Sequence, residues 1–145
     1  MEEFNNILVV THTIKESRKL LRTGVSLARK YNAKLHLLHV LHDPFNIEGW
    51  NLPVPSFEEE YRHMAAKAHE DLRRVMAAEA AEDLVANEWI KTGKPADEIQ
   101  SAVENEHIDL VLIPAHAEGR LEHFLFGKAN DRLIRRLPAT LMLVK

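Results

Sequence analysis

Apolar residues along this chain follow two alternating rhythms. Short runs have the length and branching of strands: Asn6 to Val10 (NILVV), Lys34 to Leu41 (KLHLLHVL), Val85 to Lys91 (VANEWIK), Asp109 to Pro114 (DLVLIP) and the terminal ATLMLVK. The first and fourth are apolar almost throughout, as in strands buried on both faces. Between the runs, apolar positions recur at helical spacing. Leu20, Leu21, Gly24, Leu27, Ala28 and Tyr31 share one side of a first helix, and Thr13 with Glu16 three residues on has capping-box spacing. Phe57, Tyr61, Met64, Ala65, Ala68, Leu72, Val75 and Met76 mark a long second helix, with Ser56 as its cap and Glu58-Glu59-Glu60 as an acidic first turn. Pro95 suits the first position of a third helix that buries Ile99, Ala102 and Val103, and Leu133, Ile134 and Leu137 mark a last one. Gly24 costs its helix about 1 kcal/mol against alanine, which predicts close approach of that helix to a sheet.

Strands alternating with helices, without repeats or low-complexity tracts, imply βαβ units and a parallel sheet, and right-handed crossovers put helices on both faces. The expectation is one domain over residues 1–145, a doubly wound five-stranded α/β fold. The segment His42 to Pro55 holds three prolines and a glycine and reads as a long loop, whose Phe45, Trp50 and Leu52 could cover a crevice or extend an interface.

Composition narrows the function. With net charge -3, a pI near 6.3 and no basic block, nucleic acid is not an expected partner. The absence of cysteine excludes disulfides, thiolate metal sites and a cysteine nucleophile, and fits a cytoplasmic location. The acidic start MEEFNN runs into a strand, unlike a signal peptide, and no apolar run approaches the ~20 residues of a membrane helix. Neither GxSxG, HExxH nor GxxxxGK[ST] occurs, and Ser17, Ser26, Ser56 and Ser101 fall where caps or helix surface account for them. No catalytic residue is assigned.

A strand running through a loop into a helix N-terminus is where α/β proteins cradle phosphate, and Pro114 through Gly127-Lys128 has that layout. Here NILVVTH, LHLLHV, GKPADEI and IDLVLIPAHAEGRLEHFLFGKANDRLIRRLPATLMLVK, in this order and spacing, resemble the universal stress protein (UspA-like) family across essentially the whole chain. The resemblance implies strand order 3-2-1-4-5, as in the adenine nucleotide alpha hydrolase-like fold, with a crevice between strands one and four. Nucleotide-binding members carry a glycine, two residues, a second glycine, nine residues, then glycine followed by serine or threonine. The corresponding positions are Pro114, Ala117, Gly127 and Lys128, of which one matches. The aspartate that contacts the nucleoside after strand one corresponds to His12.

These departures have physical weight. Pro114 has no N–H and a fixed φ, Ala117 adds a methyl where backbone would approach phosphate, and His12 removes a carboxylate acceptor. Against this, the amides from Gly127 onward still favour an anion, and Lys128, His116 and Arg120 could supply cations. The nucleotide or anion candidates are thus Thr11, His12, Val40, Pro114, His116, Ala117, Gly127 and Lys128, with ATP or AMP as the ligands and no cofactor otherwise implied.

Among nine histidines, His12, His42 and His116 should lie near carboxyl ends of strands and are the candidates for a metal triad, although their spacing is no ligand motif. His36 and His39 should point to opposite faces of one strand, His39 in a structural role, while His63 and His69 should face solvent or a partner. The last strand would leave an apolar edge, and the resemblance implies that Leu141, Met142, Leu143 and Val144 pair with a two-fold mate in a homodimer. The resulting expectation is a dimeric stress-response regulatory or interaction protein that does not bind ATP and has at most weak ATP hydrolysis. Two alternatives are an adenine-nucleotide binder using the altered loop and a histidine-lined metal or small-anion sensor.

Overall fold

Odd- and even-numbered residues of the first strand enter two different cores, and the fold is organised around that division. A computed structural model describes residues 3–12, 14–41, 54–92, 95–115 and 135–145. Its elements are β1 (Asn6–Thr11), α1 (Ile14–Tyr31), β2 (Lys34–Leu41), α2 (Val54–Ala78), a short 3-10 turn (Glu82–Leu84), β3 (Val85–Thr92), α3 (Pro95–Glu106), β4 (Leu110–Pro114) and β5 (Thr140–Val144). All five strands pair in parallel, in the order β3-β2-β1-β4-β5.

Ile7, Val9, Leu35, Leu37, Leu110 and Leu112 face α1 and α2, meeting Leu20, Leu21, Val25, Leu72 and Met76. Leu8, Val10, Leu38, Val40, Val111 and Ile113 face α3, meeting Ala96, Ile99 and Val103. A strand with apolar residues at every position has two faces to bury, so both must be covered by helices.

Gly24 behaves as its helix-breaking cost predicts. A Cβ there would lie 2.6 Å from Val9 Cγ2 and 3.4 Å from Leu35 Cδ1, so α1 lies directly on β1 at that point. At the amino edge of the sheet, the Asp109 carboxylate accepts from the N–H groups of Asn5 (2.9 Å) and Asn6 (3.2 Å), while Thr140 N–H donates to Asp109 O (3.0 Å). One residue thereby ties the starts of β1, β4 and β5.

The ends of α1, α2 and α3 share a device. Asn32, Ala80 and His107 have φ of 53°, 51° and 53°, and the next residue donates back five positions: Ala33 to Ala28 O, Ala81 to Met76 O and Ile108 to Val103 O. These are Schellman closures, each followed by a buried apolar residue, and none uses the customary glycine. An alanine in this conformation carries a Cβ clash, so Ala80→Gly should raise stability by about 0.5–1 kcal/mol. A thermal melt that shows no rise in Tm would contradict that assignment of strain.

Several expectations need correction. The long helix begins at Val54, not after Ser56, so Glu58–Glu60 occupy its second turn and do not serve its N-terminal dipole. Tyr31 is 39% exposed, its ring edge-on to Phe4 at 5.1 Å, because α1 has passed the end of the sheet there. Ser17 is buried, not on a helix surface. Thr13 and residues 42–53 lie outside the described residues.

Candidate functional site

The sheet divides where its topology reverses. β1 stays paired with β2 up to Thr11–His39, and β4 stays paired with β5 up to Pro114–Val144. Between β1 and β4, however, pairing runs only from Ile7–Leu110 to Val9–Leu112. Both strands then continue two residues, to Thr11 and Pro114, without a partner across the gap. Pro114 has no N–H to extend that ladder, and Ala115 N–H turns the other way, to Val144 O at 2.9 Å. The proline expected to alter a binding loop thus also has no donor to close the gap left where β1–β4 pairing ends, at the switch point.

Three of the four described candidates gather on one side of this gap. Thr11 is 0% exposed, and its Oγ1 shares a 2.7 Å hydrogen bond with His39 Nδ1, its register partner on β2. His12, just past β1, is half-buried and donates from Nδ1 to the Val40 carbonyl at 3.1 Å. Because a carbonyl only accepts, the proton sits on Nδ1 of His12. Thr11, His12 and Val40 thus come together at the ends of β1 and β2, with Pro114 across the gap on β4. His116, Ala117, Gly127, Lys128 and His42 lie outside the described residues, so the glycine-motif positions past Pro114 and the metal triad are not assembled here.

His39 has the environment of a core residue, in keeping with a structural role. It is 5% exposed, and burial above all, helped by nearby His12 and opposed by Asp71, brings its pKa down from 6.5 to about 4. His39 is therefore neutral at physiological pH. His36, on the opposite face as expected, is also held below its ordinary pKa, first by burial and then by Lys34, with Glu106 and Asp109 opposing. Asn87 Nδ2 donates to His36 Nδ1 (3.1 Å), which leaves Nε2–H to donate to Asn6 Oδ1 (3.1 Å). The imidazole stacks on Trp89 at 5.9 Å and 10°. This chain of polar groups crosses β1, β2 and β3, and nothing in the sequence spacing of Asn6, His36 and Asn87 announced it.

Two further features differ from the sequence reading. His69 does not simply face solvent: its Nδ1 pairs with Glu88 Oε2 on β3, beneath α2. Glu88 Oε1 is buried without a hydrogen-bond partner among the described residues, a costly arrangement in an apolar setting. At the opposite edge, β5 exposes Leu143 (47%) and Thr140, while Leu141, Met142 and Val144 are half-buried against the two cores. Among the described residues β5 has a partner on one side only. Among the same residues, no group of three or more His, Asp or Glu side chains is placed to hold a metal, and no helix is long and apolar enough to cross a membrane.

Comparison with known proteins agrees with this architecture. Universal stress protein C of Salmonella typhi is 28% identical over 137 residues, covering 88% of this chain and 90% of its own length. The solved structure of universal stress protein UspA from Lactobacillus plantarum superposes with a TM-score of 0.72 at 20% identity, covering both chains completely. The universal stress protein from Archaeoglobus fulgidus, solved in complex with dAMP, superposes with a TM-score of 0.55 at 15% identity over the full length of both chains. The model of the universal stress protein family itself matches residues 3–145. With that match spanning nearly the whole chain, and with the five-stranded 3-2-1-4-5 sheet of the adenine nucleotide alpha hydrolase-like fold, this chain belongs to the universal stress protein family.

Proposed function

We propose that this chain is a homodimeric regulatory or interaction protein of the stress response that does not bind ATP and turns over no substrate. The observation carrying this reading is the His12 imidazole tied to the Val40 carbonyl at 3.1 Å. At the position where nucleotide-binding relatives place an acceptor for the nucleoside, this chain places a ring that spends its Nδ1 proton on the neighbouring strand. Pro114 adds to this, since it removes an N–H from the lip of the crevice. The dimer is supported by the pairing of β5 on one side only among the described residues and by its exposed Leu143, an edge that soluble proteins pair or cover. A cysteine-free composition suits a cytoplasmic setting.

One specific observation favours a second reading, adenine-nucleotide binding with at most slow hydrolysis. A relative of the same fold has been solved with dAMP, and the sequence keeps a glycine followed by a cation at Gly127-Lys128. For a histidine-lined metal or anion sensor, no observation gives comparable support.

A thermal shift on nucleotide-stripped protein separates the two. A ligand at about 100 times its Kd stabilises a fold by about 2.7 kcal/mol, several degrees for a domain of this size. We expect no shift with millimolar Mg-ATP or AMP; a shift that Lys128→Glu removes would establish the second reading instead. In parallel, light scattering should show a dimer that Leu143→Asp converts to a folded monomer. A Leu143→Asp variant that stays dimeric would remove β5 as the interface.

A further inference from the structure

We infer that a cavity between β3 and α3, two strands away from the crevice, is a second binding site, and that it takes a small organic cation carried on an apolar stem. The cavity measures about 330 Å³, within the range of small-ligand sites. It exists because α3 lies over the inner strands, burying Ala96, Ile99 and Val103 against β1, β2 and β4, and among the described residues no helix covers the corresponding face of β3.

The lining has two parts. One is apolar and aromatic: Leu38 and Ala102 with Trp89, whose indole is fixed in place by stacking on the buried His36. The other is polar and comes from α3: Glu98, Ser101 and Asn105, spaced three and four residues apart, with Glu106 next to Asn105. That spacing puts Glu98, Ser101 and Asn105 on one side of the helix, and Glu106 also reaches the cavity, where apolar residues would be expected if the groove served only packing. Among the described residues neither Glu98 nor Glu106 has an ion-pair partner within 4.0 Å.

Two unneutralised carboxylates beside an immobilised indole are the chemistry that recognises an ammonium or guanidinium group: the carboxylates supply charge and the ring face supplies cation–π attraction. Ser101 and Asn105 can accept further N–H groups, and Leu38 and Ala102 offer an apolar surface to the stem. Lys91 also lines the cavity, and its charge opposes a cationic ligand. With Glu98 and Glu106 against Lys91, the lining still carries one net negative charge.

The chain has two tryptophans, so Trp50→Phe leaves Trp89 as the only indole reporter. Titration of that variant with n-butylguanidinium should give a saturable change in fluorescence, and the neutral isostere n-butylurea should give none. Glu98→Gln and Glu106→Gln should each weaken the apparent affinity by about two- to fivefold, with the far-UV circular dichroism unchanged. Lys91→Gln should tighten it by a similar factor, a sign that a purely structural lysine would not produce. No saturable change, an equal response to n-butylurea, or an affinity indifferent to both carboxylates would each overturn the assignment.

Discussion

Acidification from neutral pH to about pH 4 should cost this fold about 3 kcal/mol through His39 alone. The sign follows from which state holds the proton. In the unfolded chain the imidazole protonates as pH falls through 6.5, whereas the folded protein refuses that proton until about pH 4. Between those values the unfolded state binds more protons, so stability is complete above 6.5, falls as pH falls, and stops falling below about 4. His36 is shifted in the same direction, so it adds to the slope. Urea unfolding at neutral pH and near pH 4, compared between the native chain and His39→Gln, isolates the contribution. Glutamine retains a hydrogen-bonding group for Thr11 Oγ1 but cannot titrate, so its pH dependence should be clearly flatter. Identical pH profiles for the two proteins would show that His39 is not the acid-sensitive group.

The second large effect is a reversal of sign at the contact of α1 with β1. Gly24→Ala gains about 1 kcal/mol of helix propensity. Its new methyl would lie 2.6 Å from Val9 Cγ2, however, and overpacking of a filled core costs about 1–3 kcal/mol. Val9 is fully buried and β-branched, with few rotamers into which it can retreat, so the clash wins and Gly24→Ala should be less stable by about 1–2 kcal/mol. Val9→Ala alone leaves a void and costs about 2 kcal/mol. In that background the alanine at 24 fills vacated space and keeps its propensity gain, so Gly24→Ala should then stabilise. Chemical denaturation of the four proteins in this cycle tests it; Gly24→Ala destabilising both backgrounds equally would mean that Val9 is not the obstacle.

Pro114 connects sequence and site in a way that neither shows alone. From the motif, it counts as a missing glycine. In the sheet, it lies two residues beyond the last β1–β4 pair and has no N–H with which to resume that ladder, while Ala115 continues the ladder toward β5. The crevice is thus present for a backbone reason that does not depend on what occupies it, and a relative can keep the opening after changing its chemistry. His12 shows the same separation: its position is a family position, whereas its hydrogen bond to Val40 belongs to this chain.

The order of strands and helices, the two-sided burial of β1 and β4, the close approach at Gly24 and the opposite faces of His36 and His39 could all be read from the sequence. Each depends on periodicity or local backbone preference within about one element, and those forces act on neighbouring residues. The start of α2 at Val54 was missed because Pro55 is tolerated in a first helical turn and resembles the loop before it. The pairs Thr11–His39, His69–Glu88 and Asn5–Asp109 join residues 28, 19 and 104 positions apart. The cavity beside Trp89 likewise exists only because α3 covers some strands and not the edge. Sequence by itself determined which residues turn inward and in what rhythm; tertiary structure decided which of them meet, because hydrogen bonds and burial depend on distance in space, and parallel crossovers bring remote segments together.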